Sequence, residues 1–180
     1  SMYELVVRLL ENNSFIYGSA IAFEPGYFHS EGHFFSPYSL RAENGEIEVT
    51  QLGNKDYDYH YMDWYQIPKL LDQPYWTEPY YDDGGGEMMM TTYSKPLYDG
   101  YGRMIAVITA DISLNWLTSI VNDLHAFETS YNMMVSRNAS YIVHPDPDLL
   151  LNETVYSSEF CCEEETLMKM QEDMINGRSG

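Results

Sequence analysis

Basic side chains are scarce in this chain, which has nine lysines and arginines against 28 aspartates and glutamates among its 180 residues. A net charge of -19 repels phosphate backbones and anionic membrane surfaces, so we expect no nucleic-acid partner. The acids are scattered through loops and helix ends, which also keeps an ordinary domain soluble. The length suffices for one well-buried domain, or for one domain and part of a second.

Long apolar runs and spaced cysteines are missing as well. No run approaches the roughly 20 apolar residues of a membrane helix, and the N-terminus lacks the pattern of a signal peptide. Cys161 and Cys162 are adjacent, and a disulfide between neighbours needs strained geometry. We therefore expect free thiols or thiols paired between molecules. Sequons at Asn12, Asn138 and Asn152 accept glycans only in a eukaryotic secretory pathway.

Signatures of catalysis and of metal binding are also lacking. The sequence has no nucleophile elbow, phosphate loop, dinucleotide fingerprint or zinc quartet. His29 and His33 lie four residues apart, but a glycine between them argues against a helical metal pair. Asp82, Asp83 and Glu87 surround three glycines without the alternating ligands of a calcium loop. We expect no catalytic residue, no metal and no cofactor.

The first half of the chain predicts one helix followed by strands. Residues 3–10 place apolar side chains at helical spacing and predict a helix that begins without a cap, as the end of a longer helix. Residues 15–23 predict a strand. Residues 34–41 and 47–52 predict a hairpin across Asn44-Gly45.

The region from residue 61 onward mixes helices and strands. Residues 61–71 predict a short helix or helical turns interrupted near Pro68. Residues 88–98 predict a strand, and the unbroken apolar run 104–110 predicts a central buried one. A helix capped by Ser113 follows.

The C-terminal part predicts a hairpin and a last helix. The hairpin joins residues 131–135 and 141–144, and the helix runs from Glu163–Glu165 to Gly177. Strands in hairpins with helices at the ends favour an α+β domain on an antiparallel sheet.

Aromatic and acidic residues are interleaved between residues 57 and 111. Aromatic faces and a few fixed carboxylates hold a small molecule without supplying a nucleophile or a metal. For Trp116, on its predicted helix, a place in the core is the better interpretation. The aromatic residues that we assign to binding lie among Asp63, Glu78, Asp82 and Lys95 instead of at a core period, and they are Trp64, Tyr65, Trp76, Tyr80 and Tyr93.

Several motifs of this region occur in an order and spacing that resemble the double Cache sensor domain. They are Tyr57-Asp58-Tyr59, Asp63-Trp64-Tyr65, Trp76-Thr77-Glu78-Pro79-Tyr80-Tyr81-Asp82, Thr92-Tyr93-Ser94-Lys95-Pro96 and Asp111-Ile112-Ser113-Leu114. The resemblance implies an extracytoplasmic, ligand-sensing part of a bacterial or archaeal membrane receptor, with a histidine kinase as the expected type. It also implies a PAS-like fold, in which a long N-terminal helix precedes two modules, each an antiparallel sheet flanked by helices.

The resemblance covers nearly the whole chain. Residues 1–127 resemble the membrane-distal module with the end of its N-terminal helix, and residues 128–180 resemble the beginning of a truncated membrane-proximal module. It implies a membrane-anchored parent protein, and a homodimer through the N-terminal helix is an open expectation.

The resemblance also implies a binding site. In amino-acid-sensing members, a Tyr, an Asp two residues later and an Asp at the end of a late strand bind the ligand's ammonium, and Tyr80, Asp82 and Asp111 match them. Those members bind the ligand carboxylate with an Arg at the position of Met62. The match implies a small cationic or neutral polar ligand, for which we expect the contacts Tyr59, Trp64, Tyr65, Trp76, Tyr80, Asp82, Tyr93 and Asp111.

Two other functions stay open at this point. A receptor domain that acts only through protein or dimer contacts predicts a pocket filled by side chains. A secreted enzyme of the glycoside-hydrolase kind requires two carboxylates, such as Glu78 and Asp82, that converge on an open cleft.

Overall fold

The structure is a computed structural model, and it describes residues 1–124, 130–150, 152–157 and 164–178. The chain forms two compact units. The first, which we call the sheet unit, comprises Ser1–Thr77 and Tyr81–Ser113, and the second, the C-terminal unit, comprises Glu78–Tyr80 and Leu114–Gly180. The adjacent cysteines, Cys161 and Cys162, lie outside the described residues.

The sheet unit begins with helix α1 (Met2–Glu11). Ser1 caps it, since its side chain accepts a hydrogen bond from the backbone N–H of Glu4, whose carboxylate in turn contacts the N-terminal amine at 2.9 Å. The expectation of an uncapped start is therefore wrong, because a capping box is present. The apolar side of α1 buries Val6 and Leu10.

A seven-stranded sheet forms the centre of this unit, with the order β3-β2-β1-β7-β6-β4 and β5 paired to β6. β1 to β3, β6 and β7 pair antiparallel. β7 lies between β1 and β6, so the prediction of a central strand at 104–110 is confirmed. The α+β fold is confirmed too. The strands are β1 (Gly18–Phe23), β2 (Pro37–Arg41), β3 (Ile47–Gln51), β4 (Tyr75–Trp76), β5 (Tyr80–Tyr81), β6 (Met89–Tyr98) and β7 (Met104–Ser113).

The hairpin between β2 and β3 follows the prediction. Gly45 has a φ of 84°, which is in the left-handed region that glycine adopts without steric cost. Its N–H donates to the carbonyl of Ala42, and this closes the turn.

The two faces of the sheet differ because side chains alternate along each strand. Asp111 lies opposite Gly18 in the register of β7 and β1, whereas Ile108, three residues earlier, lies opposite Ile21. Ile21 and Ile108 pack with Val6 of α1. Asp111 therefore points to the face away from α1, which we call the acid face, and the other is the α1 face.

Helix α2 (Asp63–Leu71) follows a 3-10 helix (Tyr59–Tyr61) and packs against β6 and β7. Pro68 lies inside α2 and does not interrupt it, contrary to one of the two expectations for this segment. The proline ring removes one backbone donor. The helix nevertheless buries Trp64, Tyr65 and Pro68 itself, so packing outweighs the lost hydrogen bond.

The C-terminal unit contains α3 (Leu114–Asp123), β8 (Met134–Val135), β9 (Tyr141–Val143), a 3-10 helix (Pro147–Leu149) and α4 (Glu164–Ile175). β8 and β9 pair antiparallel, so the predicted hairpin is confirmed. Buried Tyr141 and Val155 pack with Leu167 and Met170 of α4. Trp116 on α3 is 36% exposed, so its interpretation as a core residue is wrong.

Candidate functional site

Asp111 lies near the end of β7 and is buried in the sheet unit, with 5% of its surface exposed. The Thr92 hydroxyl on β6 donates to its Oδ1 at 3.0 Å. A Cβ added at Gly18 would lie 2.7 Å from Asp111 Oδ2 and 2.5 Å from the hydroxyl oxygen of Tyr38. Glycine at this position of β1 therefore leaves the room that the carboxylate and the Tyr38 hydroxyl occupy.

Asp82 is held by a glycine-rich turn and is also buried, with 6% exposed. The Gly86 N–H donates to its Oδ2 at 2.6 Å, and the Tyr57 hydroxyl donates to its Oδ1 at 2.8 Å. A Cβ at Gly85 would collide with the carboxylate. The glycines therefore allow the backbone of this turn to approach the Asp82 carboxylate closely.

The residues around Asp82 and those around Asp111 are in contact with each other. A Cβ at Gly86, beside Asp82, would lie 3.0 Å from the Tyr38 hydroxyl, which itself lies beside Asp111. The Trp64 Nε1–H donates to the Tyr57 hydroxyl at 3.4 Å, which extends the group to α2. We call the set Tyr38, Tyr57, Trp64, Asp82, Thr92 and Asp111 the acidic cluster.

The cluster is electrostatically unusual. Burial and the charge of Asp82 raise the pKa of Asp111 to about 7, against hydrogen bonds from Thr92 and Tyr38 that lower it. Burial also raises the pKa of Asp82, opposed by the donors Gly86 and Tyr57. Among the described residues, no lysine or arginine forms an ion pair with either carboxylate. The cluster is therefore acidic without an internal counter-ion.

Two of the expected contacts, Tyr59 and Tyr65, touch the cluster through the Trp64 ring, whose centroid lies 6.1 Å from each of theirs, but their hydroxyls bond elsewhere. The Tyr59 hydroxyl donates to the carbonyl of Phe23 at 2.8 Å, and burial raises its pKa to about 12. The Tyr65 hydroxyl donates to Glu24 at 2.5 Å, and Lys69 Nζ contacts the same carboxylate at 2.7 Å. Both tyrosines are fully buried, and their hydroxyls attach the 3-10 helix and α2 to the end of β1.

Trp76 and Tyr93 lie on the other side of the sheet. They face each other across β4 and β6, with ring centroids 5.2 Å apart, and Trp76 is 53% exposed. Tyr93 follows Thr92, so alternation places it on the α1 face while Thr92 and Asp111 share the acid face. The geometry separates this pair from the acidic cluster.

Tyr80 completes the predicted set, and Met62 occupies the position of the family's arginine. Tyr80 lies in β5, is half-buried and belongs to the C-terminal unit. Met62 is half-buried at the start of α2, at the position where the resemblance expects an arginine.

Sequence reasoning missed Tyr38 and Thr92 as members of the cluster. Neither stands out by type or spacing, because only the register of β1, β2, β6 and β7 brings them to Asp111. Tyr57, like Thr92, belongs to one of the motifs of the resemblance but was not an expected contact. Its signal was its place at the start of the aromatic and acidic stretch.

A separate group of possible metal ligands, His33, Asp58 and His60, lies among the described residues. None of the helices in the described ranges is both long and apolar enough to cross a bilayer.

Comparison with known proteins agrees with the fold. A family model described as the first PDC sensor domain of methyl-accepting-chemotaxis-protein-like receptors matches residues 2–119. The chemotaxis protein PctB of Pseudomonas aeruginosa is 32% identical over 96 residues, 53% of this chain and 15% of that protein. PscA of Pseudomonas syringae pv. tomato is 32% identical over 109 residues, 59% of this chain and 17% of that protein. The chain thus spans a small part of its curated relatives.

Solved structures extend the likeness to nearly the whole chain. The extracellular domain of mmHK1S-Z3, which is described as a histidine kinase, is 29% identical with a TM-score of 0.80, over 98% of this chain and 65% of that one. The ligand-binding domain of PctB in complex with L-Gln is 22% identical with a TM-score of 0.56, over 83% of this chain and 55% of that one.

The relatives are sensor domains of receptors and not enzymes. They are extracellular parts of membrane receptors, and the solved ones include complexes with small molecules. The resemblance to Cache sensor domains is confirmed, as is the expectation of a receptor's sensor domain. With two thirds of its length matched by one family model, the chain belongs to the family of chemoreceptor-like first PDC sensor domains.

Proposed function

We propose that the sheet unit binds a small organic cation, with an ammonium group of the ligand next to Asp82 and Asp111. The observation that carries the proposal is the burial of two neighbouring carboxylates without a basic partner among the described residues. Burying two acids, one of which raises the pKa of the other, is costly, and a cation placed next to them removes that cost. A cation at this position would also lie near the aromatic residues Tyr57 and Trp64 of the cluster.

The ligands of the structural neighbours support this chemistry. PctB is described in complex with L-Gln and with L-Arg, and PctC with GABA. All three ligands carry an ammonium group, whereas the carboxylate is on the α-carbon in L-Gln and L-Arg but farther from the ammonium in GABA. We infer that the ammonium is the shared requirement and that Asp82 and Asp111 meet it in this chain.

The residue expected next to the ligand's carboxylate, Met62, distinguishes this chain from the amino-acid-sensing members. Arg binds a carboxylate through two parallel hydrogen bonds, and methionine has no donor for this purpose. Lys69, a basic residue of α2, is already paired with Glu24. We therefore propose that the ligand is an amine without an α-carboxylate, or one whose carboxylate contributes little to binding.

A ligand screen on the purified chain tests the proposal. Ethanolamine and agmatine serve as amines, L-alanine and L-glutamine as α-amino acids, and propionate as the carboxylate. We expect amines to raise the melting temperature most and propionate to have no effect. Asp111→Asn should weaken amine binding by about 10- to 100-fold, the cost of one charge-assisted hydrogen bond.

Two variants make the screen specific. Asp83→Asn changes an exposed acid next to Asp82, and it should leave amine affinity unchanged. Met62→Arg should raise the affinity for α-amino acids over that for amines. Amine binding that survives Asp111→Asn unchanged, or a wild-type chain that prefers α-amino acids to amines, contradicts the proposal.

We further propose the setting in the parent protein. Residues 1–127, which include the sheet unit, would be the membrane-distal module, and residues 128–180 the start of a proximal one. The parent would be a membrane-anchored extracytoplasmic receptor with a histidine-kinase or chemoreceptor output, dimerised through the N-terminal helix. Sequencing the gene beyond residue 180 tests the output, and the molecular mass of the purified chain in solution tests the dimer.

A further inference from the structure

The loop between β1 and β2 brings a histidine next to the 3-10 helix that precedes α2. His33, Asp58 and His60 each offer one ligand atom, and these atoms lie within 4.8 Å of one another. His33 is exposed, Asp58 is half-buried and His60 is buried. We propose that these three side chains bind a divalent transition metal of the zinc type, at a site separate from the acidic cluster.

The hydrogen bonds of His60 give the first argument. Its Nδ1 lies 2.9 Å from Asp58 Oδ1, and its Nε2 lies 3.3 Å from the carbonyl oxygen of Phe23. Both partners are acceptors, whereas a neutral imidazole has a single N–H. In the neutral ring, one nitrogen therefore faces an oxygen with no hydrogen between them.

A metal ion resolves this mismatch. Bound at Nδ1, it satisfies the lone pair of His60 and the charge of Asp58 together, while the Nε2–H donates to Phe23. Histidines that bind metals usually make such a hydrogen bond to a carbonyl through their second nitrogen. The alternative is a second proton on the ring, and metal titration distinguishes the two.

The ligands are already oriented. Asp58 Oδ1 also accepts the backbone N–H of His60 at 3.1 Å, which fixes the carboxylate as the cap of the 3-10 helix. The Phe34 ring stacks on His60 with centroids 5.7 Å apart, and the Tyr65 ring meets His60 edge-on at 5.3 Å. Two of the three ligands thus have little freedom to lose when a metal binds.

His33 supplies the adjustable ligand. Its ring centroid lies 5.1 Å from that of His60, and the side chain is exposed. Zinc bonds of about 2.0–2.2 Å place tetrahedral ligand atoms roughly 3.3 Å apart, so a rotation of His33 closes the site. Two imidazoles and one carboxylate with a free position for water form a donor set that zinc uses in proteins.

Metal titration of the chain, freed of metal with EDTA and desalted, tests the proposal. We expect one Zn²⁺ per chain by calorimetry in a non-coordinating buffer, with proton release, and visible absorption of four-coordinate Co²⁺. His33→Ala is the main variant, because an exposed side chain is replaced without disturbing the core. It should weaken Zn²⁺ binding at least about tenfold, since even the outer partners of metal ligands contribute that much.

His29→Ala is the matched control, because His29 is an exposed histidine of the same loop. Asp58→Asn keeps an acceptor for the helix cap but removes the carboxylate, so it should weaken Zn²⁺ binding without unfolding the chain. No uptake at millimolar Zn²⁺, unchanged affinity in His33→Ala, or equal loss in His29→Ala overturns the proposal.

Discussion

Replacing Asp111 by asparagine is expected to stabilise the ligand-free chain, and to do so more at high pH than at low pH. Asparagine has the shape of the carboxylate and keeps an acceptor for the Thr92 hydroxyl, which donates at 3.0 Å in the native chain. It removes the charge and turns one acceptor oxygen into an NH2 donor. The effect on stability therefore reports the free energy of burying an ionised carboxylate beside Asp82.

The magnitude follows from the raised pKa. Burial raises the pKa of Asp111 from its ordinary value of 3.8 to about 7. A raised folded-state pKa favours the protonated folded form, so the stability it contributes is full below the unfolded pKa and is lost as the pH rises to about 7. The total loss is about 4 kcal/mol, of which about 2 to 3 kcal/mol falls between about pH 5 and about pH 8.

Urea unfolding of both proteins at about pH 5 and about pH 8 measures this quantity. The stability difference between Asp111→Asn and the native chain should grow by about 2 to 3 kcal/mol between the two conditions. Asp56→Asn, which changes an exposed acid in a loop, should show the same small difference at both. An Asp111→Asn effect that does not depend on pH would refute the reasoning, since no charge would then be suppressed in the folded chain.

Three further substitutions probe the surroundings of the cluster. Gly18→Ala places a Cβ 2.7 Å from Asp111 Oδ2, so it should destabilise the chain by about 1–3 kcal/mol in urea unfolding. Tyr57→Phe removes the hydroxyl that donates to Asp82 at 2.8 Å, and a loss of about 1–3 kcal/mol in the same assay is expected. Trp76→Ala, on the other face of the sheet, should cost about 0.5–1.5 kcal/mol and leave amine affinity by calorimetry unchanged. Unaltered stability in the first two, or lost amine affinity in the third, would contradict this description of the site.

Hydropathy patterns predicted helices and strands correctly where the apolar residues of the pattern are also the residues buried in the structure. The apolar run 104–110 is central because both of its neighbours cover it, and Asn44-Gly45 forms its hairpin because Gly45 adopts a positive φ. The prediction that Trp116 lies in the core was wrong, because an aromatic side chain at helical spacing does not reveal whether other residues pack over it. Of the two alternatives for residues 61–71, the short helix was right, because the packing of α2 outweighs the one hydrogen bond that Pro68 cannot donate.

The site was predictable only in part. Asp82 and Asp111 lie close enough for the charge of Asp82 to raise the pKa of Asp111. The resemblance implied this proximity, because motifs of a family show which residues far apart in the sequence belong to one site. The face of the sheet on which the Tyr93 side chain lies depends on the pairing register of β6, because a shift of one residue moves every side chain to the other face. The sequence does not reveal that register. The approach of His33 to His60 also depends on tertiary structure, since no local period links a loop to a distant 3-10 helix.

The charge of the acidic cluster affects both the stability of the chain and the cation binding that we propose. A binding site whose charges were neutralised within the protein would gain little from a cation, because the ligand would have to displace an existing partner. In this chain, Asp82 and Asp111 are held by neutral hydroxyl and amide donors, and these fix the carboxylates without cancelling their charge. The folded, ligand-free unit therefore retains an unfavourable electrostatic free energy that the proposed cation would relieve. Because binding and folding are linked, the same burial that weakens the empty unit would strengthen the proposed preference for a cationic ligand.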